Sequence, residues 1–250
     1  MSSNKATDAD TWCIVAALPG EIAPLKTLGL ANVTFLTTGV GIRNAQRAML
    51  REMEKARPGG VIHVGFGGVL SPTLALGNVL IADAIGGDSD APVDARLVRI
   101  AVGLNLDGVG IYSGVILTHD RILATKEEKR AVSIALSEGT LGCADMESVI
   151  VATVCAQHGV PYLGIRCISD TFDEDLPLDL NACRDRDGNI AIGRILWSVA
   201  RQPSAIPRLM ELRRRSDDCA RILARVVQGV LLQAPRPSDL RDGARGGDCA

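Results

Sequence analysis

Two short segments carry carboxylates where they could do chemistry: Asp145-Met146-Glu147-Ser148 and, one apolar run later, Ile168-Ser169-Asp170. The run between them extends from Val149 through Gly164, and Arg166 precedes the second segment. A carboxylate at the start of one buried element is thus paired with a carboxylate at the end of the next. Acids at the mouth of an apolar core lose hydration, which is costly unless they are used. The pattern suits a reaction in which one acid holds a sugar and the other protonates a leaving group. Glu147, heading an apolar helix, could accept from two vicinal hydroxyls as a bidentate partner. Apolar surroundings would raise the pKa of Asp170 and let it donate a proton near neutrality. Each acid also has a plainer job. Asp145 would cap the helix that follows, Glu147 would face its dipole, and Asp170 would open a loop.

Glu21 comes directly after the Pro19-Gly20 turn. It reads either as a general base towards water or as a solvated first-turn acid. Thr38-Gly39-Val40-Gly41 sits between a strand and a helix, where free N–H groups and the helix dipole suit an anion. Thr38, Gly39, Gly41 and Arg43 are therefore candidates for a phosphate or water site. In Gly65-Phe66-Gly67-Gly68, glycine allows close approach of backbone to a ligand. Neither loop matches a dinucleotide or nucleoside-triphosphate pattern, and together they favour a crevice at neighbouring strand ends. His63, His119 and His158 are dispersed, and the seven cysteines show no C-x-x-C spacing. No metal site and no redox centre is expected; the thiols read as buried and free, in a reducing compartment.

The elements that must position these groups alternate in type. Apolar runs bounded by glycine and proline predict strands over 11–18, 33–38, 61–64, 77–85, 110–117 and 162–168. Helices are expected over 42–56, over 125–136 with Lys126, Glu127, Glu128 and Lys129 on the wet side, and over 146–157. The order predicts an α/β fold, a sandwich built on a largely parallel sheet. Three further helices are expected over 190–201, 204–215 and 217–233, a C-terminal extension of a single domain spanning 11–233. Residues 1–10 and 234–250 read as disordered ends.

With 27 basic against 29 acidic residues among 250, the chain has no basic excess, so nucleic acid is not an expected partner. The polar start has no signal-peptide core and no run is long enough to span a membrane, which points to the cytoplasm.

Ala16 to Glu21, Thr38 to Gly41, Gly65 to Gly77, Ala144 to Ser148 and Arg166 to Asp170 together resemble the nucleoside phosphorylase and nucleosidase superfamily, across roughly residues 11–200. The resemblance implies a three-layer α/β/α sandwich with a central mixed, largely parallel sheet, and cleavage of the N-glycosidic bond of a nucleoside by a homodimer or larger assembly. It implies no cofactor beyond inorganic phosphate as an optional co-substrate. In the branch resembling methylthioadenosine/S-adenosylhomocysteine nucleosidases, Asp170 would protonate the purine, oriented by Ser169. Glu147 would hold the ribose hydroxyls with Met146 packed on the sugar, and Glu21 would activate water. Gly67 and Gly68 would lie against the substrate. That branch stacks an aromatic on adenine in the segment that here reads Thr118-His119-Asp120-Arg121-Ile122, so Ile122 would take its place. The extension from Leu180 looks more like the hopanoid-associated phosphorylases, which release adenine from adenosylhopane. The expected substrate is then a lipid-linked nucleoside, taken by water or phosphate, with C-terminal helices able to touch the inner membrane face. A thioether nucleosidase is the alternative, and a nucleoside sensor without turnover is the non-enzymatic one.

Overall fold

Side chains of the first strand alternate between two separate cores. In the computed structural model, which describes residues 8–86, 91–177, 181–182 and 205–245, β1 (Trp12–Ala16) is buried throughout. Trp12, Ile14 and Ala16 join Ile22 and Leu25 of α1 (Pro19–Lys26), Leu97 of α3 (Ala95–Val102) and Leu223 and Val227 of α6 (Ile206–Gln233). Cys13 and Val15 point the other way, to Met49 and Met53 of α2 (Ile42–Lys55) and Val151 and Cys155 of α5 (Ser148–Gln157). Period-two alternation with both faces covered makes β1 the middle of three layers.

With β1 run β2 (Val33–Thr37), β3 (Gly60–Val69), β4 (Val79–Gly86), β5 (Ile111–Thr118), β6 (Gly142–Asp145) and β7 (Tyr162–Ile168), in the order β2-β1-β3-β6-β5-β4-β7. Five pairings are parallel, and β3–β6 and β4–β7 are antiparallel. Because β3 pairs with both β6 and β7, strands β3, β6, β5, β4 and β7 close a ring, from which β1 and β2 extend. The expected mixed, largely parallel sheet between helical layers is present, curled until its far strands meet.

Several expectations need correction. The Gly65-Phe66-Gly67-Gly68 stretch is not a loop but the second half of β3, paired with β7 through Gly67. The Pro19-Gly20 turn is the first turn of α1, where proline lacks only an N–H that would be unpaired anyway. β6 and α3 were not anticipated. The helices expected over 204–215 and 217–233 are one, α6. Ser216 lies inside it, its hydroxyl donating to the Leu212 carbonyl one turn back. Within the expected disordered tail, Pro237–Arg245 forms α7, anchored by fully buried Leu240. The helix expected over 190–201 lies outside the described residues. Among the described residues, no helix is long and apolar enough to cross a membrane.

Candidate active site

Three strand ends deliver three acids to one cavity of about 510 Å³. Glu21 comes from α1 after β1, Glu147 follows β6, and Asp170 follows β7. All three are buried, and the size is that of a small-molecule site. Most walls are apolar, including Val40, Phe66, Ile122, Met146, Leu176 and Leu212.

Glu21 is not the solvated acid of an ordinary first turn. Its carboxylate accepts from the Leu18 N–H at 2.8 Å and the Phe66 N–H at 3.0 Å. Gly65 makes the second contact possible, since a Cβ there would lie 3.0 Å from Glu21 Oε1. Burial pushes the Glu21 pKa up, opposed by these N–H groups and by Arg166. A carboxyl with a raised pKa is a better base towards water once ionised.

Glu147 is the N-cap residue of α5, a position earlier than the first-turn place expected for it. Its Oε1 accepts from the Gly41 N–H at 2.6 Å. Burial, and then the neighbouring Asp145 carboxylate, raise its pKa. Asp145 does bond the helix start, at the Ser148 N–H, but it also anchors Arg166 at 2.5 Å. Arg166 is 1% exposed and donates as well to Ser148 Oγ and to the His63 carbonyl. His63 is therefore no ordinary strand residue: burial and Arg166 hold its pKa well below the usual value, and it stays neutral. This buried guanidinium behind Asp145 offsets the negative charge gathered at the cavity floor.

Asp170 accepts from the Val69 N–H at 2.9 Å through Oδ1, and Lys129 Nζ stands 2.6 Å from Oδ2. Burial raises its pKa, and the Lys129 ammonium opposes that rise. Ser169 lines the cavity, yet Val69 and Lys129 hold the carboxylate, in place of the orienting role expected of Ser169. Lys129 itself overturns the expectation of a wet helix face, since its side chain is 0% exposed.

Met146, Gly67, Gly68 and Ile122 all reach the cavity. Met146 packs on Ala17 and Val40, with Ile122 against the same cluster. The proposed anion loop joins them through Val40, not through its candidate anion contacts. Thr38, Gly39, Gly41 and Arg43 are not cavity walls. The Gly41 N–H is taken by Glu147, the Thr38 hydroxyl donates to the Gly39 carbonyl, and Arg43 is exposed. Sequence reasoning missed Phe66, hidden in a glycine run, and Leu212, whose helix carries no sign of what it covers. It also missed Lys129, masked by the charged residues beside it.

Carboxylates at the ends of different strands suit proton transfer to and from a substrate, and Arg121 and Arg213 also stand among the cavity walls. Comparison with known proteins agrees in fold and family. The chain is 26% identical over 174 residues to a 5'-methylthioadenosine/S-adenosylhomocysteine nucleosidase of Exiguobacterium sp., covering 62% of this chain and 74% of that protein. A nucleosidase of the same name from Shewanella baltica is 28% identical over 201 residues, 72% of this chain and 84% of its own. Among solved structures, the Neisseria meningitidis nucleosidase of that name, in complex with methylthio-immucillin-A, superposes with a TM-score of 0.69 at 18% identity, over 90% of this chain and 100% of its own. Futalosine hydrolase of Helicobacter pylori, as a mutant, gives a TM-score of 0.69 at 17% identity over the same shares. These two likenesses show the fold. The model of the phosphorylase superfamily matches residues 13–196, and the chain belongs to that family.

Proposed function

We propose that this protein cleaves the N-glycosidic bond of an adenine nucleoside by attack of water at the sugar's anomeric carbon. The observation that carries the reading is the convergence of Glu21, Glu147 and Asp170 on one largely apolar cavity. Such a reaction needs a protonated leaving base, a sugar that takes on positive charge, and a weak nucleophile. Asp170 protonates the base. Glu147 holds the vicinal hydroxyls, and its ionised form favours the cationic sugar, with Met146 against it. Glu21 takes the proton from the attacking water. Absence of Thr38, Gly39, Gly41 and Arg43 from the cavity walls, and the presence of Glu21 in them, support water over phosphate.

The names of the curated relatives support a 5'-thioether adenosine as substrate. A second reading, adenine release from the lipid-linked adenosylhopane, has one observation in its favour. Leu209 and Leu212 of α6 line the cavity, and on the same helix Ile206 and Met210 are 42% and 68% exposed. An apolar wall continued by exposed apolar residues suits an apolar 5' substituent. Purified protein incubated with methylthioadenosine, S-adenosylhomocysteine and adenosylhopane, with adenine measured, separates the two. Adenine from the thioethers alone supports the first reading, and from adenosylhopane alone the second. Absence of adenine from all three, with ligand still bound, would leave a nucleoside sensor.

A further inference from the structure

Behind Asp170 lies a cation that has no contact with the cavity. Lys129 is wholly buried and forms no part of the cavity walls. Its ammonium stands 2.6 Å from Asp170 Oδ2 and donates to the carbonyls of Thr171 and Glu174 at 2.7 and 3.1 Å. An ammonium has three N–H groups, so all of its donors are committed and its direction is fixed.

The surrounding backbone is built to keep it there. Lys129 lies on α4 (Lys126–Ser133), whose start is fixed by a reciprocal cap between Thr125 and Glu128. The Lys126 N–H donates to Asp175, Arg130 pairs with Asp173 at 2.6 Å, and the Leu176 N–H donates to the Ala124 carbonyl. These links clasp the segment after Asp170 against α4. Burying an ion pair is a weak way to stabilise a fold, because both partners lose hydration. A pair whose acid faces a ligand cavity and whose base does not is better explained by what it does to the acid.

We propose that Lys129 is a positioning residue for the reaction at this site, fixing the direction and the acidity of Asp170 without touching substrate. The proposal rests on the nucleosidase reading. In the step concerned, the glycosidic bond breaks and its electron pair passes to the base. The Asp170 O–H proton goes to a ring nitrogen of that base, leaving a carboxylate, while water bonds to the anomeric carbon and gives a proton to Glu21. Lys129 keeps its own protons throughout. Without it the transfer would leave a bare carboxylate in an apolar site, so the ammonium favours the state after transfer. The other groups facing Asp170 are few. Glu174 raises its pKa but is itself paired with Arg215 of α6 at 2.5 Å, and the thiols of Cys143 on β6 and Cys219 on α6 lie within its field.

The test compares wild type, Lys129→Met and Lys129→Arg in two measurements. One is the pH profile of adenine release, and the other is a carbon-13 NMR titration of the Asp170 carboxyl, assigned with Asp170→Asn. Lys129→Met should move the alkaline limb and the carboxyl titration up by about one pH unit or more. It should lower kcat about tenfold or more, with KM changed less than about twofold. Lys129→Arg should restore most of both. An unmoved limb and titration in folded Lys129→Met would overturn the proposal. If that variant does not fold, the nitrogen-15 resonance of Lys129 Nζ in wild type decides. It should shift as Asp170 titrates and lose that step in Asp170→Asn; indifference to Asp170→Asn overturns the proposal. Wild type releasing no adenine counts against the nucleosidase reading itself, whereas release with an unmoved limb counts against Lys129 alone.

Discussion

Glu21, Glu147 and Asp170 share burial but differ in what holds each one, and that difference supports the separate roles proposed for them. Two backbone N–H groups hold Glu21, one N–H and a nearby carboxylate border Glu147, and an ammonium faces Asp170. Glu21→Gln and Asp170→Asn should each lower turnover by about 10²–10⁴-fold while substrate still binds, as read by kinetics and calorimetry. Glu147 carries a stability consequence with a definite sign. Its native pKa is raised above its unfolded value, so between the two the native state holds the extra proton. Stability is therefore lost as pH rises through that window, by about 1.4 kcal/mol per unit of displacement. Glu147→Gln should remove this loss and melt at higher temperature than wild type at pH above the window, while turnover collapses. Thermal melts of both proteins across pH check it; a Glu147→Gln protein less stable than wild type at every pH would contradict the assignment.

Among the elements, α6 has two jobs that can be separated. Leu223 is fully buried in the core beside α1 and α3, whereas half-buried Leu212 faces the cavity. Leu223→Ala should cost about 2–5 kcal/mol of stability by denaturant unfolding. Leu212→Ala should cost far less and instead raise KM about tenfold for nucleosides with an apolar 5' group, since several methylene contacts vanish. How far such roles could be read in advance depended on pattern. α2, α5 and β7 carry clear periodicity or long apolar runs, and Glu147 and Asp170 beside the last two were found with them. β6 has only four residues, too few for a pattern. The glycines of β3 resembled a loop, yet a Cβ on Gly67 would lie 3.0 Å from Cys143 Sγ and 3.1 Å from the Cβ of Arg166. Close packing, not turning, explains that glycine. Lys129 was hidden because its helix is mostly charged, and only the segment after Asp170 decides which charge turns inward.

Across the whole molecule, the curled sheet is what makes a single site of distant segments. Closure of β3, β6, β5, β4 and β7 into a ring brings the residues after β6 and β7 to the same cavity as the end of β1. The family resemblance made the three-layer architecture legible in the sequence, but neither the closing of the sheet nor the fate of the anion loop. In that loop the Gly41 N–H holds Glu147, which supports the proposal of water as the nucleophile. The direct test is the rate of adenine release from methylthioadenosine in phosphate-free buffer, repeated with phosphate added, with the sugar product identified. Equal rates and a free sugar are predicted. Adenine that appears only with phosphate, alongside a sugar 1-phosphate, would contradict the account.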